Sequence, residues 1–357
     1  MALLFNYSCG NLTASGTQLP GAFASVVGAP TVGVGDGPGA TPINTVHCDG
    51  ESNGVTVPNV AIPINGNGLC IGAGFKVSGV GGEPALFYCI GGSVYFLYVQ
   101  VSADGSMQMG LSLVGAASSP SGTFTFGSRH EVEIFVSTFA SANQVSVILD
   151  GVPVTGLTNL VLSSYYGGLT GLSDGATIHT VQVACGPQTA DPATVIVDSV
   201  YALDTTGTVN NAPLGPCIST PMFPSAPGHV SAWTPFGVSL GWEALAVIPP
   251  AGDTSYIYDS NPGDQEAVEV TAVANITAVY GVSVIANQRQ DTAGGGRTIS
   301  LGLGNGSGQN YTSAFATWGL GTTYKMNTAP YSFNPFTTVP WALSDLSTLQ
   351  LALKLQT

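Results

Sequence analysis

No segment of the first 210 residues repeats apolar side chains with the 3.6-residue period of a helix over ten or more positions. Short alternating segments recur instead about every 8–12 residues, separated by glycine, proline and asparagine. Alternation places one set of side chains in a core and the other set on the opposite face of a sheet. The 48 glycines and 23 prolines among 357 residues fit a chain with many turns. We therefore expect an all-β protein.

One segment near the middle of the chain marks the end of the first domain. Residues 195–203 alternate in polarity, which predicts a strand, although Ser199 interrupts the pattern. Turn-forming residues follow directly at 204–207. We expect this strand to close the first domain and to pair with the strand predicted over residues 177–184. The apolar positions that share one parity are Val195, Val197, Tyr201 and Leu203.

These signals divide the chain into two β domains joined by a linker. Residues 1–207 form the predicted first domain, a β-sandwich of jelly-roll type. Six prolines fall within residues 208–235, which predicts a linker. Residues 236–357 form the predicted second domain, a smaller β-sandwich.

Local patterns in the second domain predict mostly strands. Residues 239–247 are one of these predicted strands. Only residues 341–349 indicate a short helical turn, with Ser344 as the candidate N-cap.

Two segments of the first domain predict tight hairpins. Residues 84–101 are uncharged and about long enough to span a membrane. However, Gly91-Gly92 lies in their middle and the flanks are aromatic and β-branched, which favours a hairpin over a membrane span. Residues 130–154 predict two strands and the start of a third, joined at an Asp150-Gly151 turn.

The low charge of the chain restricts its partners. Only 7% of residues are charged, against roughly 25% in an ordinary soluble domain. Six basic and 20 acidic residues give a net charge of −14, which disfavours nucleic acid and anionic membrane surfaces as partners. A neutral polar surface is typical of extracellular and virion proteins. Together with the apolar content it predicts a homo-oligomer, with a trimer as the expected state.

The remaining composition indicates neither secretion nor a cofactor. The first ten residues lack a basic residue and a long apolar run, so we expect no signal peptide and synthesis in a cytosol. Six cysteines without a C-x-x-C pair and four scattered histidines predict no metal site. We expect reduced thiols, and Cys185–Cys217 is the first pair to check for a disulfide.

Two runs of the first domain resemble a known family. The run at 130–154 (HEVEIFVSTFASANQVSVILDGVPV) and the run at 195–215 (VIVDSVYALDTTGTVNNAPLG) look like the concanavalin A-like (laminin G-like) jelly rolls of tailed-bacteriophage virion proteins. A His-x-x-Glu strand leads there to a strand that ends in Asp/Asn-Gly, and an Asp-x-Val-Tyr-x-x-Asp-x-x-Gly strand closes the sandwich. The resemblance spans about residues 60–357.

The second domain is similar to the module that follows in such proteins. The matching segments, in chain order, are Trp233-Thr234-Pro235, 256–264, 287–303 and 334–355. The resemblance implies a non-enzymatic structural protein on the exterior of a phage virion, with other virion proteins as partners. Its expected role is a tail fibre or tail knob that contacts host-surface polysaccharide. The alternatives are a capsid decoration, cement or head-fibre protein that stabilises the shell, a polysaccharide depolymerase, and a secreted cellular lectin.

Concanavalin A-like folds also include glucan hydrolases, which makes one carboxylate pair a candidate. Glu131 and Glu133 lie at i and i+2 of a predicted strand and share a face, as catalytic carboxylates of such hydrolases do. The third carboxylate of the hydrolase pattern is missing, since Phe135 and Val136 occupy its positions. We therefore expect both glutamates on the solvent face of an amphipathic strand, with no catalytic role.

Two other groups are weaker candidates for ligand sites. Tyr165 and Tyr166, in a Ser/Gly-rich loop, are the candidate glycan-binding residues, because exposed aromatic rings can stack on sugars; packing or a subunit contact is the alternative. Asp259, Asp264 and Glu266 could hold calcium, but they lack the twelve-residue calcium loop, so a solvated acidic loop is expected.

Overall fold

A computed structural model of the chain divides it into two compact units, Met1–Ser219 and Thr220–Thr357. It describes residues 3–7, 25–27, 31–36, 42–49, 54–57, 68–79, 84–91, 94–110, 116–136, 144–161, 180–185, 194–204, 208–247, 252–291, 296–306 and 316–356. Among these residues, no helix has the length and apolar character needed to cross a membrane. The expectation of an all-β protein is confirmed.

The first unit contains 16 described strands. They are β1 (Leu3–Tyr7), β2 (Ser25–Val27), β3 (Thr31–Asp36), β4 (Pro42–Asp49), β5 (Gly54–Val57), β6 (Leu69–Ser78), β7 (Ala85–Gly91), β8 (Val94–Val101), β9 (Met107–Gly110), β10 (Ala116–Ser118), β11 (Arg129–Val136), β12 (Gln144–Leu149), β13 (Val152–Pro153), β14 (Leu160–Val161), β15 (Thr180–Cys185) and β16 (Thr194–Asp204).

These strands form two antiparallel sheets. Sheet A has the order β13-β12-β11-β6-β16-β4-β3, with β1 also paired to β16 and β14 to β12. Sheet B has the order β10-β9-β8-β7-β15-β5-β2. In chain order, the chain changes sheet at β2, β3, β5, β6, β7, β11, β15 and β16. Crossing between two sheets in this way is the topology of a jelly roll.

The two sheets pack face to face around an apolar core. Phe75 of β6 meets Phe87 of β7 edge-to-face, with ring centroids 5.0 Å apart, and both rings are fully buried. Odd-numbered residues of β6 and even-numbered residues of β11 point into this core, as Val77, Val132 and Ile134 illustrate. The two predicted hairpins are present as β7–β8 and β12–β13, although Gly91 is the last residue of β7 and pairs with Val94 instead of forming the predicted Gly-Gly turn. Asp150 and Gly151 both have positive φ, as a tight two-residue hairpin turn requires.

The predicted pairing of the closing strand is wrong. Strand β15, at the segment expected to pair with 195–203, lies in sheet B between β7 and β5. Strand β16 is central in sheet A, where it pairs with β6, β4 and β1. Alternation shows which face of a strand is apolar but not which sheet the strand joins, and neighbouring strands of a jelly roll cross between sheets.

A β-bulge in β16 also changes the faces predicted from parity. Ser199 has φ +50°, and the register with β6 slips by one residue between Asp198 and Tyr201. A one-residue slip exchanges the two faces of the strand beyond it. Val195 and Val197 therefore point into the core, whereas Tyr201 lies on the outer face of sheet A, opposite Gly72 of β6.

The second unit contains nine described strands and two short helices. They are β17 (Pro224–Ser231), β18 (Thr234–Phe236), α1 (Gly241–Leu245), β19 (Tyr256–Tyr258), β20 (Gln265–Val270), β21 (Val282–Gln288), β22 (Thr298–Gly304), β23 (Ala316–Gly319), β24 (Lys325–Tyr331), α2 (Leu343–Leu346) and β25 (Gln350–Leu355), with a 3₁₀ turn at Gly252–Thr254.

One five-stranded sheet, β17-β20-β25-β22-β23, and two two-stranded sheets, β18-β19 and β21-β24, make up this unit. Its core includes Leu301, Leu353 and Trp341, and the Trp341 indole donates to the Tyr331 carbonyl at 3.0 Å. Residues 208–219 group with the first unit, and β17 and β18 lie where a linker was expected. Prolines are tolerated in β17 because it is an edge strand of its sheet.

In both helices the third residue is acidic, and its carboxylate accepts hydrogen bonds from backbone amides just before the helix. Residues 241–245 are helical rather than extended, because Glu243 accepts hydrogen bonds from the amides of Ser239 and Leu240. The helical turn expected within 341–349 is confirmed, but Ala342 is its N-cap residue rather than Ser344, and Asp345 accepts from the Ala342 amide at 2.8 Å.

Candidate functional site

Polar and ionisable side chains collect on the outer face of sheet A, where β11, β6 and β16 run side by side. The register pairs Glu131 and Glu133 of β11 with Gly74 and Gly72 of β6. On the other side of β6 the same glycines pair with Asp198 and Tyr201 of β16. Directly paired residues of antiparallel strands share a face. We call this group the carboxyl cluster: Arg129, Glu131, Glu133, Asp198, Tyr201, Cys70 and Cys217.

Arg129 holds one half of the carboxyl cluster together. Its Nε and Nη2 atoms donate to the two carboxyl oxygens of Asp198 at 2.8 and 2.6 Å. Nη2 also reaches Oε2 of Glu131 at 3.1 Å. The Arg129 side chain is 14% exposed and that of Asp198 only 4%. A bidentate pair with this burial is among the stronger polar contacts that a protein makes.

Glu133 holds the other half of the carboxyl cluster. Its carboxyl group accepts a hydrogen bond from the Tyr201 hydroxyl at 2.5 Å and one from the Leu214 amide at 2.7 Å. The Gly215 amide lies 3.2 and 3.3 Å from its two oxygens, and the Cys70 thiol lies 3.7 Å from Oε1. Glu133 is fully buried, so these groups replace the water that would solvate it.

The donors from Leu214 and Gly215 belong to residues 208–219, which we call the covering segment. This segment also places the Cys217 thiol 4.0 Å from Oε1 of Glu131 and donates from the Ser219 amide to Ser199 at 3.2 Å. Leu214 and Cys217 pack on an apolar group formed by Cys70, Tyr201 and Leu203. Backbone donors and apolar packing together hold the segment on the sheet.

Two glycines make room for the carboxyl cluster. A Cβ atom on Gly72 would lie 2.2 Å from Cζ of Tyr201, so the tyrosine ring occupies the space that a side chain would take. A Cβ atom on Gly74 would lie 2.1 Å from Nη2 of Arg129 and 2.4 Å from Oδ1 of Asp198. The strand between the two halves of the carboxyl cluster must therefore be free of side chains at both positions.

Burial dominates the electrostatics of the carboxyl cluster. It raises the pKa of Glu131 well above the ordinary value, and the nearby Arg129 opposes this only in part. Burial also raises the pKa values of Cys70, Cys217 and Tyr201, and the nearby acidic groups add to the shift. The pKa of Arg129 is raised because Asp198 outweighs the effect of burial. Both thiols and the phenol therefore stay protonated at neutral pH and are poor nucleophiles.

The expectation for the two glutamates is wrong in one respect. Glu131 and Glu133 do share a face, but that face is covered, and the residues are 1% and 0% exposed. The covering segment explains the difference. The alternation of polar and apolar residues in β11 predicts a solvent-exposed polar face, but the covering segment buries that face. Both carboxyl groups are therefore inaccessible to solvent under the covering segment.

Sequence reasoning missed Arg129, Asp198 and Tyr201 as parts of a site. A signal was present, because Asp198 and Tyr201 belong to the motif that carries the family resemblance, as Glu133 does. Arg129 is one of six basic residues and lies at i−2 from Glu131, on the same strand face. Gly72 pairs with both Glu133 and Tyr201, and Gly74 pairs with both Glu131 and Asp198. The alignment of Tyr201 with Gly72 depends on the bulge in β16, which local sequence patterns do not predict.

The other candidate residues do not add to the carboxyl cluster. Tyr165 and Tyr166 lie outside the described residues, so their predicted glycan contact stays a prediction. Cys217 is a free thiol rather than the partner of Cys185, since the covering segment directs it to Glu131. In the part of the chain that is described, no group of three or more histidine, cysteine, aspartate or glutamate side chains is placed to hold a metal.

The acidic residues near 259–266 are divided between different structures. Glu266 is 2% exposed and lies in β20, where it accepts from the Ser231 hydroxyl and the Trp233 amide. Asp264 instead interacts with the Asn261 side chain in the preceding turn. Glu266 is therefore not part of a solvated acidic loop.

Comparisons with known proteins do not assign the chain to a family. No family model and no curated protein matches it. Among solved structures, a cellulose-induced protein is similar over 53% of this chain and 88% of its own, at 13% identity and a TM-score of 0.36. A Trypanosoma rangeli sialidase is similar over 52% of this chain and 29% of its own, at 15% identity and a TM-score of 0.36.

A third structure is the receptor-binding domain of a botulinum neurotoxin C/D mosaic serotype. It is similar over 50% of this chain and 42% of its own, at 9% identity and a TM-score of 0.35. The strands and sheets of the chain itself define its class: an all-β protein whose first unit is a two-sheet β-sandwich of jelly-roll type.

Replacing Glu131 with glutamine is expected to remove a pH dependence of stability. A carboxyl group whose pKa is raised by folding stabilises the protein below its ordinary value of 4.5, and this contribution is lost as the pH rises through the folded-state value. Each unit by which the pKa is raised contributes about 1.4 kcal/mol. The stability of Glu131→Gln relative to the parent should therefore increase from pH 4 to pH 8 in urea denaturation followed by circular dichroism. A constant difference over that range would contradict a raised pKa at Glu131.

Proposed function

We propose that the chain is a non-enzymatic structural protein on the exterior of a tailed-bacteriophage virion. Its role is that of a tail fibre or tail knob that assembles as a homo-oligomer with other virion proteins and contacts host-surface polysaccharide. The motifs around His130–Glu133 and Asp198–Gly207 support this proposal, because they resemble those of phage jelly rolls. The low charge of 7% supports a surface that works outside a cell.

The burial of both glutamates in the carboxyl cluster supports the non-enzymatic part of the proposal. A glucan hydrolase of this fold needs two carboxyl groups that face an open cleft. Glu133 is instead fully buried, and the Tyr201 hydroxyl and backbone amides of the covering segment donate to it. The residues that resemble the phage motif thus have a structural role: their hydrogen bonds link strands β11, β6 and β16 to the covering segment.

Immunogold electron microscopy tests the location. An antibody raised against the purified chain is applied to intact particles of the phage that encodes it. Label at the tail is the expected result. Label spread over the head would overturn the tail assignment in favour of a decoration or cement protein, whose loss should weaken the capsid. Absence of label from every particle would contradict the virion assignment itself.

A separate assay tests for polysaccharide hydrolysis. The purified chain is incubated with capsule from the host, and released reducing ends are measured for the parent and for Glu131→Gln and Glu133→Gln. We expect no release above a boiled control for any of the three. Release by the parent that both folded variants lack would establish a depolymerase and overturn the proposal.

A further inference from the structure

Three aromatic side chains lie on one face of the small sheet β18–β19 in the second unit. The register pairs Phe236 with Tyr256 and Thr234 with Tyr258. Tyr256 and Tyr258 are two residues apart on β19, so all four side chains share this face. Phe236 is 48% exposed and Tyr258 is 50% exposed. We call Phe236, Tyr256 and Tyr258 the aromatic platform.

The rings of the aromatic platform support one another. Phe236 and Tyr256 are stacked, with centroids 4.8 Å apart and an angle of 23° between their planes. Tyr258 leans on Tyr256 at 6.0 Å and 57°. The middle ring therefore contacts both others, and within the described residues each outer ring has a ring partner on one side only. Contacts of this kind fix ring orientation before any ligand binds.

The opposite face of the same small sheet is occupied. Pro235 and Ile257 are paired there, and Ile257 packs against the core of the second unit. Helix α1 covers the same side, since a Cβ atom on Gly241 would lie 3.4 Å from Cγ2 of Ile257. The sheet therefore cannot turn its aromatic side inward, and exposure of these rings is a fixed property of the second unit.

We propose that the aromatic platform binds neutral hexose units of a polysaccharide, an inference that rests on the proposed glycan contact and assigns it to the second unit. A pyranose ring has an apolar face of C–H groups and hydroxyls around its rim, so a flat aromatic ring matches the face and polar groups match the rim. The hydroxyls of Tyr256 and Tyr258 make no hydrogen bond to any described residue, which leaves them to meet sugar hydroxyls.

The charges around the aromatic platform favour a neutral glycan over an acidic one. Strand β19 is flanked by Asp253, whose side chain is 65% exposed, and by Asp259. Gly237, next to Phe236, lies close enough to Thr254 that a Cβ atom would come within 2.0 Å of the Thr254 carbonyl oxygen, so the Asp253 turn borders the platform. Two cations lie nearby, and both are engaged. Arg289 pairs with Asp253 at 2.7 Å and lies 3.4 Å from Asp291, and Arg297 donates to the Ser260 carbonyl at 2.7 Å. Anionic sugars would therefore meet unfavourable charge.

Affinity gel electrophoresis of the full chain tests this proposal. Gels contain dextran, mannan or galactan as neutral probes, or alginate as an acidic probe. We expect retardation of the parent by at least one neutral probe and none by alginate. The variants Phe236→Ala and Tyr258→Ala should each weaken binding about tenfold, the size of effect that one lost ring contact of this kind produces. Tyr280→Ala, at a 43% exposed tyrosine outside the aromatic platform, is the matched control and should bind as the parent does.

The outcomes separate this inference from the proposed function. Retardation of the parent by no neutral probe, or equal retardation of parent and platform variants, would overturn the inference while tail labelling could still stand. Loss of oligomer size rather than of glycan binding in Phe236→Ala would make the aromatic platform a contact between copies. Head labelling would overturn the tail-fibre role even if the purified chain bound a neutral glycan. Tryptophan fluorescence of each variant checks that the second unit remains folded.

Discussion

Replacing Arg129 with methionine is expected to lower the free energy of unfolding of the first unit by about 3–5 kcal/mol, the cost of leaving a buried charge without its partner. Asp198 is 3% exposed and would lose both of its bonds to the guanidinium. Methionine keeps much of the side-chain volume, so the loss measures the missing charge and hydrogen bonds rather than a cavity. Urea denaturation followed by circular dichroism measures it.

A second variant separates the charge from the packing. In Arg129→Met with Asp198→Leu both members of the pair are apolar, and such replacements of buried pairs are often neutral or stabilising. We expect the double variant to recover most of the stability that Arg129→Met loses. A double variant as unstable as the single one would contradict the account of an unpaired buried charge. Arg289→Met, at a partly exposed pair with Asp253 in the second unit, is the control and should cost much less than Arg129→Met.

The distribution of tryptophan gives this experiment an internal reference. All four tryptophans, Trp233, Trp242, Trp318 and Trp341, lie in the second unit. Fluorescence therefore reports the second unit, whereas circular dichroism reports both. Arg129→Met should shift the early part of the dichroism transition and leave the fluorescence transition in place. A matching shift in both signals would mean that the two units unfold together.

Local patterns predicted the strands of two hairpins and the segments of β15 and β16, but not the pairing of strands that are distant in the sequence. The hairpins β7–β8 and β12–β13 were predictable because turn residues lie at or next to the ends of the strands that they join. The position of β15 in sheet B was not predictable, since its partners β7 and β5 lie far away in the sequence. The helix over 241–245 was missed because its start depends on the Glu243 carboxylate rather than on a conventional N-cap residue.

The candidate site was predictable only in part, for the same reason. The spacing of Glu131 and Glu133 correctly placed both on one face of β11. Their burial depends on the covering segment, whose own composition of proline and glycine indicated a linker. The single residue that the bulge at Ser199 adds to β16 brings Tyr201 over Gly72 and next to Glu133. In the sequence, this change of face is visible only as the interruption of the polar–apolar alternation at Ser199.

Replacing Gly72 with alanine tests whether that close approach determines the site. The added methyl carbon would lie 2.2–2.5 Å from three atoms of the Tyr201 side chain, so the ring must move and lose its bond to Glu133. We expect a loss of about 3 kcal/mol, at the upper end for one methyl group forced into a packed site. Gly321→Ala, where a Cβ atom has no neighbour within 4 Å, is the control and should be nearly neutral.

The effect of Gly72→Ala should depend on the tyrosine. In a Tyr201→Leu background the ring is gone, so Gly72→Ala should cost at least about 1 kcal/mol less than in the parent, the coupling expected of two residues in contact. Hydrogen exchange supplies a second reading, because displacement of the ring disturbs Glu133, the acceptor of the Leu214 and Gly215 amides. Faster exchange at these two amides in Gly72→Ala would show that the covering segment is held through the carboxyl cluster. Equal costs in both backgrounds and unchanged exchange would mean instead that the segment is held by its apolar packing on Cys70 and Leu203.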